Sequence, residues 1–249
     1  METTNKTAVI FDIDGTLVES AGFEDHLYVA AVRDVLGDVC IRKAWNTYRH
    51  VTDSGILRQI MEENRIRGRN WIRGGDRIRE VRSRFGDKVS QYLRDGGECD
   101  PTIGAVDLID ELRAAPGFAV GFATGGWGHT ASMKLEHAGF NLEHAVLASS
   151  DDSGERRGIM QKCLDILDAL GNSFQRIVYV GDAEWDVQAT PGPGMAFHWR
   201  WTAVDGQVCI LDRRLFKPEG IHGDAAWPVT ELRLAETLLH DLCETPAQA

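Results

Sequence analysis

Short apolar runs and longer stretches of helical period divide this chain. The first run, Ala8-Val9-Ile10-Phe11, is unbroken and β-branched, and it ends in Asp12-Ile13-Asp14-Gly15-Thr16-Leu17. A run without polar alternation predicts a strand buried on both faces of a parallel sheet. Gly15 then marks a sharp turn. The same signal returns at Phe118 to Ala123, at Ala145 to Ala148, at Arg176 to Val180 and, less regularly, at Met195 to Trp201. Val106, Ile109 and Leu112 predict a helix from about Gly104 to Ala114, closed by Pro116-Gly117. Further helices are expected from His129 to His137 and from Gly158 to Leu170, the latter with Ile159, Cys163, Ile166, Leu167 and Leu170 turned inward. Strands alternating with helices predict an α/β fold on a central parallel sheet. A polar stretch from Asp212 to Asp224 and an amphipathic helix from Val229 to Leu242 close the chain.

From Phe23 to Leu93 the sheet pattern is absent. Leu27, Ala30, Ala31 and Leu36 fit an amphipathic helix that Gly37 can end; Ile56, Leu57, Ile60 and Met61 fit a second, and Ile78, Val81, Arg82 and Phe85 a third. The text reads as a helical insert separate from the sheet. Asp95-Gly96-Gly97-Glu98-Cys99-Asp100-Pro101 reads as the hinge by which the chain returns. The polar run Val51-Thr52-Asp53-Ser54-Gly55 lies between two of these helices. Its simpler reading is a helix N-cap, with Ser54 or Asp53 as the capping residue; the other is a loop that faces a substrate.

Composition narrows the class. With 249 residues, 43% hydrophobic and 26% charged, the chain can bury a sizeable core as an ordinary globular protein. No apolar run approaches the roughly 20 residues that span a bilayer. The polar stretch Met1 to Lys6 leads straight into the first strand, without a signal-peptide pattern. A formal net charge of -11 argues against general nucleic-acid or membrane-surface binding. The five scattered cysteines form no CxxC and fit a reducing, cytoplasmic setting. The insert departs from the whole: Arg58 to Arg94 holds eleven Lys/Arg against five Asp/Glu. Solvated helix faces account for most of these bases, and some could draw in an anionic substrate.

The candidate chemistry sits at strand ends. Asp12 and Asp14 stand at the carboxyl end of a central strand, where open α/β sheets bind ligands. Two carboxylates held that close need a cation between them or a retained proton. Oxygen-only ligation of this kind suits Mg²⁺. Gly181-Asp182 ends the strand from Arg176 in the same way, and Asp186 follows one helical turn on. Trp185 reads as a packing residue, and His198 as a packed or surface histidine. Thr124-Gly125-Gly126-Trp127-Gly128 ends another strand and opens a helix, so its amides and the helix N-terminus offer an anion site. Arg156 and Arg157 at a helix entrance oppose its dipole, which suggests that at least one faces an anion.

These parts, in this order, resemble the haloacid dehalogenase-like hydrolase superfamily and its Mg²⁺-dependent phosphatases of the phosphoglycolate phosphatase kind. Phe11-Asp12-Ile13-Asp14-Gly15-Thr16 is similar to the first motif, Thr124-Gly125 to the second, and Gly181-Asp182 through Asp186 to the fourth. The resemblance covers about Thr7 to Phe197. It implies a Rossmann-like three-layer α/β/α core, residues 1–17 and 100–249, with an α-helical cap inserted at 18–99. The third motif usually carries a lysine; here Arg156, Arg157 or Lys162 could serve, and Arg156 is the chosen candidate. The family's chemistry makes Asp12 the nucleophile that forms an aspartyl-phosphate, and Asp14 the general acid and base. Asp12, the Asp14 backbone carbonyl, Asp182 and Asp186 would hold Mg²⁺. Thr16, Thr124, Gly125 and Arg156 would bind the phosphoryl group of a small phosphorylated substrate. The second aspartate, Asp14, argues against dehalogenation. A β-phosphoglucomutase-like mutase, a phosphonate-cleaving enzyme using Lys43 or Lys88, and a non-catalytic phosphate-binding scaffold are the alternatives.

Overall fold

The computed structural model describes residues 5–20, 22–66, 71–182, 197–204 and 207–212. β1 (Asn5–Phe11) is central, flanked in parallel by β2 (Phe118–Ala123) and β4 (Ser173–Val180). Beyond β2 lies the short β3 (Val146–Ala148), and beyond β4 lies β5 (Phe197–Val204), both parallel to their neighbours. An antiparallel strand, β6 (Gln207–Asp212), closes the order β3-β2-β1-β4-β5-β6. The strand expected at Met195 to Trp201 corresponds, over its described residues, to β5, which pairs on both sides, so β6 forms the edge of the sheet. The helix expected from Val229 to Leu242 lies outside the described residues, as does Met195.

Strand residues alternate between two apolar clusters, as the period of two requires. Val9, Phe11, Val120, Phe122, Val178 and Val180 face α4 (Ala105–Ala114) and α5 (Gly128–His137). Ala8, Ile10, Ala119, Ala123 and Tyr179 face Ile159, Met160, Cys163 and Leu167 of α6 (Arg156–Ala169). Helices on both faces make the three-layer core. One inward expectation fails: Leu170 is the C-cap residue of α6 and is 67% exposed. The helix begins two residues earlier than its apolar pattern suggests and stops before Leu170 can turn inward.

The insert consists of α1 (Glu24–Leu36), α2 (Asp53–Glu63) and α3 (Trp71–Arg94). Gly37 ends α1 at φ +79°, a conformation glycine adopts without strain. The cap of α2 corrects the sequence reading. Thr52, not Asp53 or Ser54, is the N-cap residue, and its hydroxyl accepts from the Gly55 N–H at 3.0 Å. Asp53 and Ser54 are released for other contacts. The chain leaves the core at Val18 and Glu19 and returns at Asp100 to Thr102, where Glu19 N–H donates to Asp100 O and Thr102 N–H to Leu17 O, each at 2.9 Å. The insert takes no place in the sheet, yet its apolar side is continuous with the core. Trp127 of the core lies 5.7 Å from both Tyr28 and Phe85 of the insert. Among the described residues no helix is long and apolar enough to cross a membrane.

Gly121 tests the packing of β2 on α6. A Cβ there would lie 2.4 Å from Cys163 Sγ and 3.2 Å from Leu167 Cδ1. Gly121→Val is expected to lower stability by about 1–3 kcal/mol, read from urea unfolding.

Candidate active site

The register of three strands builds the site. Phe11 pairs with Phe122 on one side and with Val180 on the other. One step further along the chain stand Asp12, the turn into Thr124, and Gly181-Asp182. Asp12 is buried, and its two oxygens have different surroundings. Oδ2 accepts from Arg156 Nη1 at 2.9 Å, while Oδ1 is buried with no hydrogen-bond partner among the described residues. Burial pushes the Asp12 carboxyl up to about 6; Arg156 pulls it down, and Asp182 and Asp14 push it up further.

Gly15 allows the approach of Asp182. Its φ is +75°, and a Cβ there would stand 2.4 Å from Asp182 Oδ2. Thr16 is fully buried, and its hydroxyl donates to Asp182 Oδ1 at 3.3 Å. Thr16 thus lies on Asp182 in this structure. Asp186 and Trp185 fall outside the described residues, and of His198 only the strand position is described. Among the described residues no three His, Cys, Asp or Glu side chains form a metal cage. The oxygens present still fit a hard cation: the orphaned Asp12 Oδ1 and the nearby Asp182 are the ligand type that Mg²⁺ prefers.

Asp14 points elsewhere. Its Oδ1 accepts from Ser20 Oγ at 2.5 Å and from Lys134 Nζ, and its Oδ2 lies 3.5 Å from Thr124 Oγ1. Lys134, in α5, has no solvent exposure and also bonds Glu24 Oε1 at 2.5 Å. Burial alone would raise Asp14, but the Lys134 charge and hydrogen bond outweigh it and hold the carboxyl below its usual range. Burial lifts Glu24 to about 8, with Asp14 adding to the rise. Lys134 is kept protonated: burial opposes its charge, and the two carboxylates more than compensate. Nothing in its sequence context marked Lys134, a lone lysine in a helix whose pattern fits an exposed face equally well.

The glycine-rich turn differs from the open anion site that the sequence suggested. Thr124 Oγ1 accepts from Gly126 N–H at 3.0 Å. At the start of α5, Trp127 N–H donates to Asp53 Oδ2 at 2.9 Å, and Gly128 N–H to Asp151 Oδ2 at 3.1 Å. Carboxylates already stand where the helix dipole favours negative charge. Arg156 reaches this turn as well, with Nη2 2.9 Å from where a Gly125 Cβ would be and Nε 3.4 Å from Val51 O. Arg157 and Lys162 are exposed, so of the three candidates Arg156 alone meets Asp12.

The family model of the haloacid dehalogenase-like hydrolases matches residues 6–190. The chain belongs to this family. Solved structures of similar fold include CbbY from Rhodobacter sphaeroides in complex with phosphate, 22% identical over 78% of this chain and 85% of that one, TM-score 0.54. A hydrolase from Pseudomonas syringae is 18% identical over 74% and 80%, TM-score 0.53. A β-phosphoglucomutase from Clostridium difficile is 16% identical over 73% and 78%, TM-score 0.55. No curated protein matches. At these identities the likeness concerns the fold of the hydrolase.

Lys134→Met leaves Asp14 and Glu24 buried together without their cation. The expected cost is about 3–5 kcal/mol at pH 8. Without Lys134 both carboxyls are raised, so the folded state binds more protons than the unfolded chain and stability falls as pH rises. The loss of thermal midpoint should therefore be larger at pH 8 than at pH 5.

Proposed function

We propose that this hydrolase is a Mg²⁺-dependent phosphomonoesterase acting on a small phosphorylated metabolite through an aspartyl-phosphate on Asp12. The divided environment of Asp12 carries the reading: one oxygen is held by Arg156, and the other is buried without a partner among the described residues. Such a carboxylate is oriented, desolvated and free to attack. Residues 18–99 act as the cap, with 1–17 and 100–249 as the core.

Asp12 forms a bond to phosphorus through one carboxylate oxygen as the ester oxygen leaves with a proton from Asp14. Asp14 then takes a proton from the water that cleaves the acyl phosphate. Lys134 keeps Asp14 ionised before substrate arrives, which suits the second step. The negative phosphoryl group entering beside it raises the carboxyl, which takes up a proton from solvent and gives it to the leaving oxygen in the first step. Arg156, Thr124 and the Gly125 amide hold the phosphoryl oxygens as charge develops. Asp12, Asp182, the Asp14 carbonyl and Asp186 would hold the metal, and Thr16 acts by steadying Asp182. A bound Mg²⁺ supplies the positive charge that offsets repulsion between Asp12 and the phosphoryl group.

Wild-type protein is expected to hydrolyse p-nitrophenyl phosphate only with Mg²⁺. Asp12→Asn should abolish turnover with an unchanged circular-dichroism spectrum, and Asp14→Asn should slow it by about 10²–10⁴-fold. Retained turnover in Asp12→Asn would remove the assignment. Isomerisation of a hexose phosphate without phosphate release would identify a mutase instead.

Metal linkage gives a readout independent of turnover. Mg²⁺ at about 100 times its dissociation constant should stabilise the wild type by about 2.7 kcal/mol. Asp182→Asn is expected to lose most of the corresponding shift in thermal midpoint.

A further inference from the structure

We propose that Asp53 makes this site select phosphomonoesters whose alcohol carries a hydroxyl or ammonium group, and discriminate against those whose alcohol carries a carboxylate. The inference rests on the phosphatase reading and names the substrate class of that site.

Asp53 belongs to the insert but stands on the core's glycine-rich turn. Its backbone is fixed on both sides: its N–H donates to Gly125 O at 2.8 Å, and its C=O accepts from Tyr28 Oη at 2.7 Å. Its Oδ2 takes the Trp127 N–H, and its Oδ1 takes no hydrogen bond among the described residues. Gly126 locates it against the reacting groups. A Cβ on Gly126 would lie 3.4 Å from Thr124 Oγ1, 3.5 Å from Asp14 Oδ2 and 3.7 Å from Asp53 Oδ2. Asp14 Oδ2 and Asp53 Oδ2 thus both lie within 4 Å of one point beside the bare backbone of Gly126. An alcohol leaving with a proton from Asp14 has its substituents, two or three bonds on, within reach of Asp53.

The charge balance there is negative. Lys134 is committed to Asp14 and Glu24, and Arg156 to Asp12. Asp53 has no ion pair of its own among the described residues. Burial lifts it to about 7; Lys134 and Arg156 pull it down, and Asp14 pushes it up. Above that pH it presents charge to the leaving group. A hydroxyl or ammonium can donate to it, whereas a carboxylate meets a like charge in a place of low dielectric.

Three two-carbon esters isolate the effect: phosphoethanolamine, 2-hydroxyethyl phosphate and 2-phosphoglycolate, assayed with Mg²⁺ at pH 8 beside p-nitrophenyl phosphate. In the wild type, kcat/KM for each of the first two should exceed that for 2-phosphoglycolate by about tenfold or more. Asp53→Asn keeps the shape and the Trp127 contact and removes the charge, and it should shrink that ratio about tenfold. Asp53→Ser should shrink it in the same direction. Equal or better use of 2-phosphoglycolate by the wild type overturns the proposal, whatever the variants do. So does a uniform loss on all four esters in both variants, which would mark Asp53 as a purely structural contact. If the wild type hydrolyses p-nitrophenyl phosphate but not the preferred esters, this proposal alone falls; if it hydrolyses none of the four, the phosphatase reading falls with it.

Discussion

More closely grouped carboxylates than cations, among the described residues, is the constraint on which this site is built. Asp12, Asp14, Glu24, Asp53 and Asp182 act on one another, and Lys134 and Arg156 are the cations placed among them. Like charges out of water must be paired, protonated or neutralised by an ion. Lys134 settles the account for Asp14 and Glu24 on the insert side, and Arg156 takes one oxygen of Asp12 on the core side. Asp12 Oδ1 is left without a hydrogen-bond partner among the described residues, and Asp182 stands nearby. A divalent cation would lower the energy of such a pair of carboxylates, and burial is what lifts the Asp12 carboxyl to about 6.

The sheet delivers these groups through register alone. Because β1 lies between β2 and β4, the three strand ends bring residues far apart in the chain to one edge. Parallel strands buried on both faces leave no polar positions until they end, so the chemistry collects there. Glycine at Gly15 supplies the remaining condition: a side chain there would occupy the space taken by Asp182.

How much of this was legible depended on whether the signal was periodic or tertiary. The strands of the core, the three insert helices and the strand-end aspartates follow from apolar period and turn residues, and the structure has them where the sequence put them. Arg156 was the candidate chosen from the resemblance, and its side chain does meet Asp12. Lys134 was not legible: a buried lysine is visible only through its partners, which lie 110 and 120 positions away. Thr52 displaced Asp53 and Ser54 as the cap because those two side chains are drawn to Trp127 N–H and Ser150 O instead. β6 was missed because its apolar residues precede a polar stretch and pair antiparallel, a local hairpin appended to a parallel sheet. The open helix N-terminus at Trp127 was half right; the dipole is used, but by the protein's own carboxylates.

Those carboxylates tie the insert to the same loops that would bind phosphate. Thr52 Oγ1 donates to Gly154 O at 2.8 Å, Ser54 Oγ to Ser150 O at 2.9 Å, and Arg82 Nη1 to Asp151 Oδ1 at 2.7 Å, beside the Asp53 bonds to Gly125 and Trp127. Each contributes a net of about 0.5–1.5 kcal/mol, because water can replace it. Their sum is a few kcal/mol, comparable with the roughly 4–8 kcal/mol that millimolar to micromolar substrate binding supplies. The aromatic side, where Trp127 meets Tyr28 and Phe85, has no such exchange with water and loses buried area if it parts. The polar edge along Thr52, Asp53 and Ser54 is therefore the side that can separate at low cost, and the residue best placed to sense what enters is Asp53.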